Sequence, residues 1–389
     1  MRHINATFAK NNYYWSPIET TVTDFLKLYI PAEFLEGLDD VSYFNLLLGY
    51  GDILTPDVDL FQYFEASDIE MLKNDKNNIV LFDSTFEGYS AEIETLARTF
   101  ENSCAKHNID PRKIFLLTGN LEKIKFETRV NVIPVFLLHL TFQHRSQVFG
   151  ATTIEESKEV CGQKLDKLVL SLSRRNRDHR VWGHFMLSRS SIFNDCMISQ
   201  DKLDDFHTDT HILPRIGEPI EVFETFKNSL PLLADGDNFH INSPFNNLPE
   251  LHSATLFSIV NETLCVNYNN TSLFFSEKFL KPVINFQPML LWGQQGVNKR
   301  LATLGFKTYE SYFNLDFDDE PDDILRYKKL LASVTDTVNY LKSLTRDQQV
   351  EWRYKEVELL EYNRKLVFDN TFVSNQINEL LIKVREIIS

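Results

Sequence analysis

Cysteine is scarce in this chain of 389 residues, which contains only Cys104, Cys161, Cys196 and Cys265. These residues lie far apart, and no two of them have the C-x-x-C spacing typical of zinc clusters and redox pairs. The spacing disfavours both a disulfide framework and a cysteine-bound metal. It predicts four reduced thiols in the protein core.

Long hydrophobic runs are also missing. The longest uninterrupted apolar stretch covers residues 133–138, far short of the roughly 20 residues that a membrane-spanning helix needs. The first residues, MRHINATFAKNNYYWSP, have no continuous apolar stretch of the kind found in signal peptides. We therefore expect no membrane span and a cytoplasmic location.

Positive charge is in deficit. The chain has 40 Lys and Arg against 55 Asp and Glu, so its formal net charge is 40 − 55 = −15. Nucleic-acid binding over a whole surface depends on dense Lys and Arg, which this balance disfavours. A local basic site remains compatible with it.

Short apolar runs alternate with polar stretches of helical character. With 43% hydrophobic residues and roughly 100–200 residues per domain, the chain is expected to form two domains. Strands that alternate with helices predict an α/β fold with largely parallel sheets. The predicted strands lie within residues 77–84, 113–120, 130–140, 165–173, 254–262, 271–276 and 288–293.

The domain boundaries follow from composition. The polar stretch 149–164 separates the first three strong strands from the rest, and a long helical region begins near residue 324. Its apolar stripe comprises Ile324, Tyr327, Leu331, Val334, Val338 and Leu341. Thr345 and Gln348 form a capping box for a second helix, whose apolar face is expected to include Val350, Tyr354 and Val357. The predicted domains are 1–155, 156–335 and a helical region at 336–389.

A dense basic cluster follows the strand within 165–173. It contains Arg174, Arg175, Arg177, His179 and Arg180. A guanidinium group can bind two oxygens of a phosphate at once through parallel hydrogen bonds. In open α/β sheets, ligands bind beyond the carboxyl ends of the parallel strands. The cluster is therefore a candidate site for a compact polyanion such as a diphosphate, and a solvated basic face is the alternative.

The tripeptide Ser276-Glu277-Lys278 follows another apolar run, residues 271–276. Ser276 is predicted to cap a helix whose N–H groups and dipole favour anions. Lys278 would add a positive charge against a phosphate, and Glu277 could accept hydrogen bonds from ribose hydroxyls. An ordinary capped helix with an acid in its first turn is the alternative interpretation.

Two segments together resemble a known family. LSRRNRDHRVWGHFML and FFSEKFLKPVINFQPMLLWGQQGVNKRLATLGFKTYESYF are similar to the Arg-rich and Ser/Thr-Glu-Lys regions of GT-B glycosyltransferases related to fucosyltransferases. Bacteriophages and bacteria encode many members of this family. The resemblance covers about residues 165–330. Ser173 and Phe279 depart from the residues that are common in the family at those positions.

The resemblance implies two Rossmann-like domains that face a cleft, with a C-terminal helix packing back on the first domain. The second domain would bind a nucleotide-diphosphate sugar as co-substrate, with no further cofactor, and the first would bind a hydroxyl-bearing acceptor. A glycan, or a hydroxylated base in phage DNA, is the implied acceptor, and a phage-encoded member would act in the host cytoplasm. The donor-binding candidates are Arg174, Arg177, Arg180, Ser276, Glu277 and Lys278, among which Arg180 and Lys278 would neutralise the diphosphate and Glu277 would hold the ribose.

Sugar transfer with inversion needs a general base near the acceptor hydroxyl. Asp83 and Glu87 end a strand of the first domain, and Gly88 beside Glu87 allows close substrate approach, so Glu87 is the leading candidate and Asp83 the second.

Two D-x-D strings, Asp57-Val-Asp59 and Asp235-Gly-Asp237, are interpreted as loops rather than metal ligands. Cationic side chains can stabilise the leaving diphosphate, so a metal-independent enzyme is expected. The rival hypothesis is a catalytically silent binding or structural protein with the same fold.

Overall fold

The computed structural model describes residues 2–4, 42–46, 58–84, 90–122, 125–136, 153–174, 176–203, 212–236, 248–265 and 272–388. They form a mixed α/β structure with largely parallel sheets, which confirms the predicted class. The chain divides into two compact units. Unit 1 comprises Met1–Leu138, Tyr268–Phe274 and Asp369–Ser389, and unit 2 comprises His139–Asn267 and Phe275–Phe368.

The sheet of unit 1 is entirely parallel. Its strands run in the order β1-β2-β3-β4-β5. They are β1 (Arg2–Ile4), β2 (Ser42–Leu46), β3 (Asn78–Ser84), β4 (Ile114–Thr118) and β5 (Asn131–Pro134).

Three helices of unit 1 are described, and two of them precede β4 in the chain. They are α1 (Ala66–Asn74), α2 (Ser90–His107) and, at the far end of the chain, α12 (Asn370–Ile388). Apolar side chains of β3, β4 and β5 pack against α1 and α2 in one core, which includes Leu72, Phe82, Phe100, Leu116 and Val132. This pattern is that of buried parallel strands covered by helices.

In the sheet of unit 2, the order in which the chain adds strands reverses at the central strand. Its strands are β6 (Val169–Leu172), β7 (Cys196–Gln200), β8 (Leu232–Leu233), β9 (Phe257–Asn261) and β10 (Met289–Trp292). They lie in the order β10-β9-β6-β7-β8, and β8 is the antiparallel member. The chain moves outward from β6 to β8 and then returns to place β9 on the other side of β6. The carboxyl ends of β6 and β9 therefore flank a topological switch point, where open α/β sheets bind ligands.

Nine helices of unit 2 lie within the described residues. They are α3 (Ile154–Lys164), α4 (Asp178–Ser188), α5 (Leu213–Ile216), α6 (Ile220–Asn228), α7 (Pro249–Ser253), α8 (Leu280–Ile284), α9 (Asp323–Lys342), α10 (Arg346–Arg353) and α11 (Val357–Val367). A capping box starts α10 at Thr345 and Gln348, as predicted. No helix in the described part of the chain is long and apolar enough to cross a membrane.

The units divide the chain at positions that differ from the predicted domain boundaries. The domain boundaries remain predictions. Within the segment 149–164, on which the first of them rests, residues 154–164 form α3, which belongs to unit 2. The hydroxyl groups of Ser157 and Tyr354 lie 2.8 Å apart and join α3 to the segment after α10. Helices α9 to α11 also belong to unit 2, whereas α12 belongs to unit 1.

Six of the seven predicted strands are confirmed, and the strand predicted at 271–276 is wrong. The described residues 272–276 have no regular secondary structure, although Leu273, Phe274 and Phe275 are buried. The amide of Leu273 donates to Oδ1 of Asn120 at 2.9 Å, and its carbonyl accepts from the amide of Leu121 at 2.8 Å. A loop thus satisfies backbone groups that the apolar pattern alone assigned to a sheet.

Two details of the helical prediction are also wrong. Val357 was predicted on the buried face of one continuous helix, but it is 43% exposed because α10 ends at Arg353 and a new helix begins. In α9 the buried stripe contains Leu330, and Leu331 is half-buried. The cysteines form no disulfide, and three of the four are buried.

Candidate functional site

The candidate site lies at the carboxyl ends of β6 and β9 in unit 2. Strand β6 leads into Arg177 and the first turn of α4, and β9 leads into Glu262 and Thr263. Ser276, Glu277 and Lys278 return to the same two residues through the contacts given below. Two segments that lie about 100 residues apart in the sequence therefore meet at the switch point of the sheet.

The basic segment after β6 is bound to backbone carbonyls at the end of β9. Arg180 donates from Nε and Nη2 to the carbonyl of Glu262 at 3.2 and 3.1 Å. Nε2 of His179 lies 2.9 Å from the same oxygen, so this nitrogen carries the proton. Arg177 donates from Nη1 to the carbonyl of Thr263 at 3.1 Å. Three side chains of the basic cluster thus form hydrogen bonds with the carbonyl groups of two consecutive residues, Glu262 and Thr263.

The side chain of Glu262 binds the segment around Ser276. Its Oε2 accepts from the hydroxyl of Ser276 at 2.6 Å, from the amide of Ser276 at 3.2 Å and from the amide of Thr263 at 3.0 Å. Glu262 is fully buried, and its Oε1 has no hydrogen-bond partner. Burial raises the pKa of this carboxyl, although Lys278 and Ser276 act in the opposite direction.

Lys278 places its ammonium group among three oxygen acceptors. Nζ lies 3.2 Å from Oγ1 of Thr263, 3.2 Å from Oγ of Ser276 and 3.1 Å from Oε1 of Glu277. The side chain is 28% exposed, so part of it lies at the surface. Burial lowers the pKa of Lys278, and the neighbouring Arg180 lowers it further against the attraction of Glu277 and Glu262.

The turn at Ser276 has the predicted cap but a shorter helix than expected. The hydroxyl of Ser276 accepts from the amide of Lys278 at 3.4 Å. Residues Glu277–Phe279 form a 3-10 turn, and α8 adds only five residues. A helix this short contributes little dipole, so the charge of the site comes from its side chains.

The pKa values of three more side chains reflect the electrostatics of the site. Burial would raise the pKa of Glu277, but Lys278 and Lys281 outweigh burial and lower it. Burial lowers the pKa of Lys281 to about 8, with Lys278 acting in the same direction. Burial and the adjacent Arg180 lower the pKa of His179 to about 3, so this ring is neutral. With Arg177, Arg180, Lys278 and Lys281 against Glu262 and Glu277, cations exceed carboxylates at this site.

The side chain of Arg174 binds two carboxylates that are not part of this cluster. It donates to Oδ1 of Asp235 at 3.0 Å and to Oδ1 of Asp201 at 2.7 Å, and it also binds the carbonyl of Gly236. Its side chain is 9% exposed, and that of Asp235 is fully buried. The predicted diphosphate contact of Arg174 has no support in this arrangement, because two carboxylates already neutralise the guanidinium. Arg175 lies outside the described residues.

A buried polar network supports the loop that follows β6. His184 on α4 places Nε2 2.9 Å from the hydroxyl of Ser171 and Nδ1 2.9 Å from Oε1 of Gln200. Asn261 donates to the Ser171 hydroxyl at 3.0 Å, and Gln200 donates to Asn176 at 2.6 Å. These bonds join β6, β7, β9 and α4 to the loop that carries Arg177.

The predicted base residues belong to unit 1. Asp83 lies in β3 opposite Leu117 of β4, and Glu87 lies outside the described residues. Both therefore remain predictions.

The structure describes one aspartate of each D-x-D string. Asp59 caps a short 3-10 helix and lies 2.7 Å from Nε2 of His107, while Asp235 accepts from Ser199 at 2.5 Å and from Arg174. Asp57 and Asp237 lie outside the described residues. Within the described ranges, no group of three or more His, Cys, Asp or Glu side chains is arranged to hold a metal ion.

Sequence reasoning did not single out Glu262 or Thr263 as site residues. The signal available was their place directly after an apolar strand, where polar residues often end strands for turn geometry alone. Their contacts depend on a segment 14 residues further along the chain, which no local pattern reveals.

Comparison with known proteins gives similarity at the level of structure only. No protein-family model matches the sequence, and no curated protein matches it. The fold is similar to the crystal structure of an α,α-trehalose-phosphate synthase (UDP-forming) from Burkholderia vietnamiensis, at 13% identity over 91% of this chain and 76% of that chain, with a TM-score of 0.36. A TM-score of this size leaves the function to be argued from the site itself.

Proposed function

We propose that this protein is a glycosyltransferase that moves a sugar from a nucleotide-diphosphate sugar to a hydroxyl acceptor. The observation that carries the proposal is the convergence of Arg177, Arg180 and Lys278 on Glu262 and Thr263 at the switch point of the unit 2 sheet. Clustered cations at this place suit a diphosphate. The resemblance to GT-B glycosyltransferases implies that this diphosphate belongs to a nucleotide sugar.

The exposure of each cationic side chain decides whether it can contact a ligand directly. Lys278 and Arg177 are half-buried and can contact a ligand, whereas Arg180 is 3% exposed and contributes its charge to the field of the site. Together they would stabilise the diphosphate as it leaves the sugar, which is the charge stabilisation that such a transfer requires. The proposed ribose contact of Glu277 rests on the resemblance alone, because its side chain is 7% exposed and is paired with Lys278. Ser276 caps the turn that carries Glu277.

The acceptor side of the reaction is proposed from sequence alone. Glu87, or else Asp83, would take the proton of the acceptor hydroxyl. A glycan or a hydroxylated base in phage DNA is the proposed acceptor, and the proposed architecture is two Rossmann-like domains that face a cleft. The second candidate function is a catalytically silent binding protein, which would still bind the diphosphate.

Calorimetry with UDP, GDP and other nucleoside diphosphates at low salt tests the binding half of the proposal. We expect binding that weakens as salt rises, because the site is a cluster of partly exposed cations. Absence of binding to every nucleoside diphosphate would refute the proposal. Donor hydrolysis or transfer with a panel of nucleotide sugars then separates the enzyme from the silent protein.

A further inference from the structure

We propose that Glu262 is the positioning residue of this site: its carboxylate orients the hydroxyl of Ser276 and thereby fixes the ammonium group of Lys278. The proposal rests on the proposed function only in taking Lys278 as a ligand-binding cation. Glu262 itself would not touch the ligand, because both of its carboxylate oxygens are buried or already bonded.

The argument begins with the hydroxyl of Ser276, which has one proton and two acceptor positions. Its distance of 2.6 Å from Oε2 of Glu262 assigns the proton to that bond, since a carboxylate only accepts. Both acceptor positions are then left for Lys278, whose amide lies at 3.4 Å and whose Nζ lies at 3.2 Å. A hydroxyl free to rotate would not present its lone pairs to the ammonium group in this fixed way.

Glu262 also sets the second hydroxyl that contacts Lys278. Its Oε2 binds the amide of Thr263, and Oγ1 of Thr263 lies 3.2 Å from Nζ of Lys278. An ammonium group has three donors, and two of its three acceptors here belong to residues bound by the same carboxylate oxygen. The third acceptor is Glu277.

Glu262 is itself held from several sides. Its amide donates to the carbonyl of Trp292 at 2.8 Å, and its own carbonyl accepts from Arg180 and His179. A side-chain carbon added to Gly293 would lie 3.1 Å from Cβ of Glu262, so the chain after β10 packs directly on it. A carboxylate fixed in this way can transmit its position to the groups that it binds.

Oε1 of Glu262 supplies an independent observation. A fully buried carboxylate oxygen without a partner costs free energy. The cost is explained if the negative charge is needed opposite Lys278, because a purely structural acceptor would not require a charge.

The test is a double-mutant cycle on Glu262 and Lys278, with binding of UDP, GDP and inorganic pyrophosphate measured by calorimetry. We expect Glu262→Gln to weaken binding by about tenfold, which corresponds to one charge-assisted hydrogen bond. In the Lys278→Ala background the same substitution should have no further effect, because Glu262 acts through Lys278. If each substitution weakens binding by its own factor and the two factors multiply in the double variant, the proposal is overturned.

Asp318→Asn is the matched control. Asp318 is fully buried in the same unit and also accepts three hydrogen bonds, from the amide and side chain of Asn298 and from the amide of Lys299. This variant should lose stability and keep its affinity for the ligands within about twofold. If Glu262→Gln does not fold, Ser276→Ala replaces it in the cycle, since it removes the hydroxyl that links Glu262 to Lys278.

A ligand-free measurement separates this proposal from the proposed function. The pKa of Lys278 can be followed by NMR of labelled lysine side chains, with the signal assigned by its loss in Lys278→Ala. We expect Glu262→Gln to lower that pKa, because the charge of Glu262 favours the ammonium form. If no diphosphate binds to the wild-type protein, the proposed function fails while this titration still decides the role of Glu262. An unchanged pKa of Lys278 would overturn the positioning role.

Discussion

The ammonium group of Lys278 lies 3.1 Å from the carboxylate of Glu277, the residue that directly precedes it. The Glu277 side chain is 7% exposed and that of Lys278 is 28% exposed, so the pair joins a buried acid to a partly exposed lysine. Burial would raise the pKa of Glu277, but Lys278 helps to lower it. Lys278 thus supports a buried carboxylate in addition to its proposed role in ligand binding.

We predict that Lys278→Ala lowers both stability and affinity. A cation opposes the dipole at the start of a helix, so on that ground alone its removal would leave the melting temperature unchanged or raise it. The ion pair reverses this expectation: loss of the partner of Glu277 should cost about 1–2 kcal/mol, after allowance for the exposure of Lys278. Diphosphate binding should weaken by about 1.5–3 kcal/mol. Urea unfolding and calorimetry measure the two effects.

Lys299→Ala is the control for this prediction. Lys299 forms a comparable but exposed ion pair with Asp319, in which the two side chains are 39% and 69% exposed. Its removal should cost less than about 1 kcal/mol and leave binding unchanged. A Lys278→Ala protein with wild-type stability and wild-type affinity would show that Lys278 has neither role.

Arg174→Ala is predicted to reduce stability without reducing affinity for a diphosphate. The substitution leaves the buried carboxylate of Asp235 without its cation, which should cost about 3 kcal/mol. Urea unfolding followed by tryptophan fluorescence is suitable, because Trp182, Trp292 and Trp352 all lie in unit 2.

The double variant Arg174→Met with Asp235→Asn should recover part of the lost stability, since it removes both charges. A stable Arg174→Ala protein that no longer binds nucleoside diphosphates would restore Arg174 to the site.

The strands and the anion site differ in how far the sequence predicts them. Buried parallel strands such as β3 and β4 carry a continuous apolar run, which is a local property. The run 271–276 has the same pattern, yet its backbone bonds to Asn120 and Leu121, and only the tertiary structure supplies those partners.

The same distinction applies to single charged residues. Arg174 and Arg177 stand three positions apart in one basic cluster, but their partners are two carboxylates in one case and a backbone carbonyl in the other. Both carboxylates, Asp201 and Asp235, come from distant segments. Residue type therefore predicted that this loop is basic, and long-range contacts decided which of its cations remain available.

We predict that activity or diphosphate binding persists after treatment with EDTA. Arg177, Arg180 and Lys278 supply positive charge at the proposed diphosphate position, and Asp235 of one D-x-D string is bound to Arg174 and Ser199. The measurement compares the treated protein with and without added manganese or magnesium. A strict requirement for either ion would mean that the D-x-D strings were misinterpreted.

The buried network around His184 suggests a source of acid sensitivity. Nδ1 of His184 faces Oε1 of Gln200 and therefore carries the proton, which leaves Nε2 to accept from Ser171 and from Asn261. If Nε2 were protonated as well, it could no longer accept these two hydrogen bonds, and its N–H would face two donor groups in a buried site. Burial accordingly lowers the pKa of His184 to about 4.

We predict that His184→Gln flattens the acid-side loss of stability. His184 titrates near pH 6.5 in the unfolded chain and near 4 in the folded protein, so the unfolded state binds the extra proton first as the pH falls. The stability that the neutral ring contributes is full above about pH 6.5 and is lost toward pH 4, by up to about 1.4 kcal/mol per pH unit. Glutamine does not titrate, so the difference in unfolding free energy between wild type and variant should be constant above pH 7 and shrink in acid. Parallel curves from pH 7 to pH 5, measured by urea unfolding, would show that His184 is not the group that titrates.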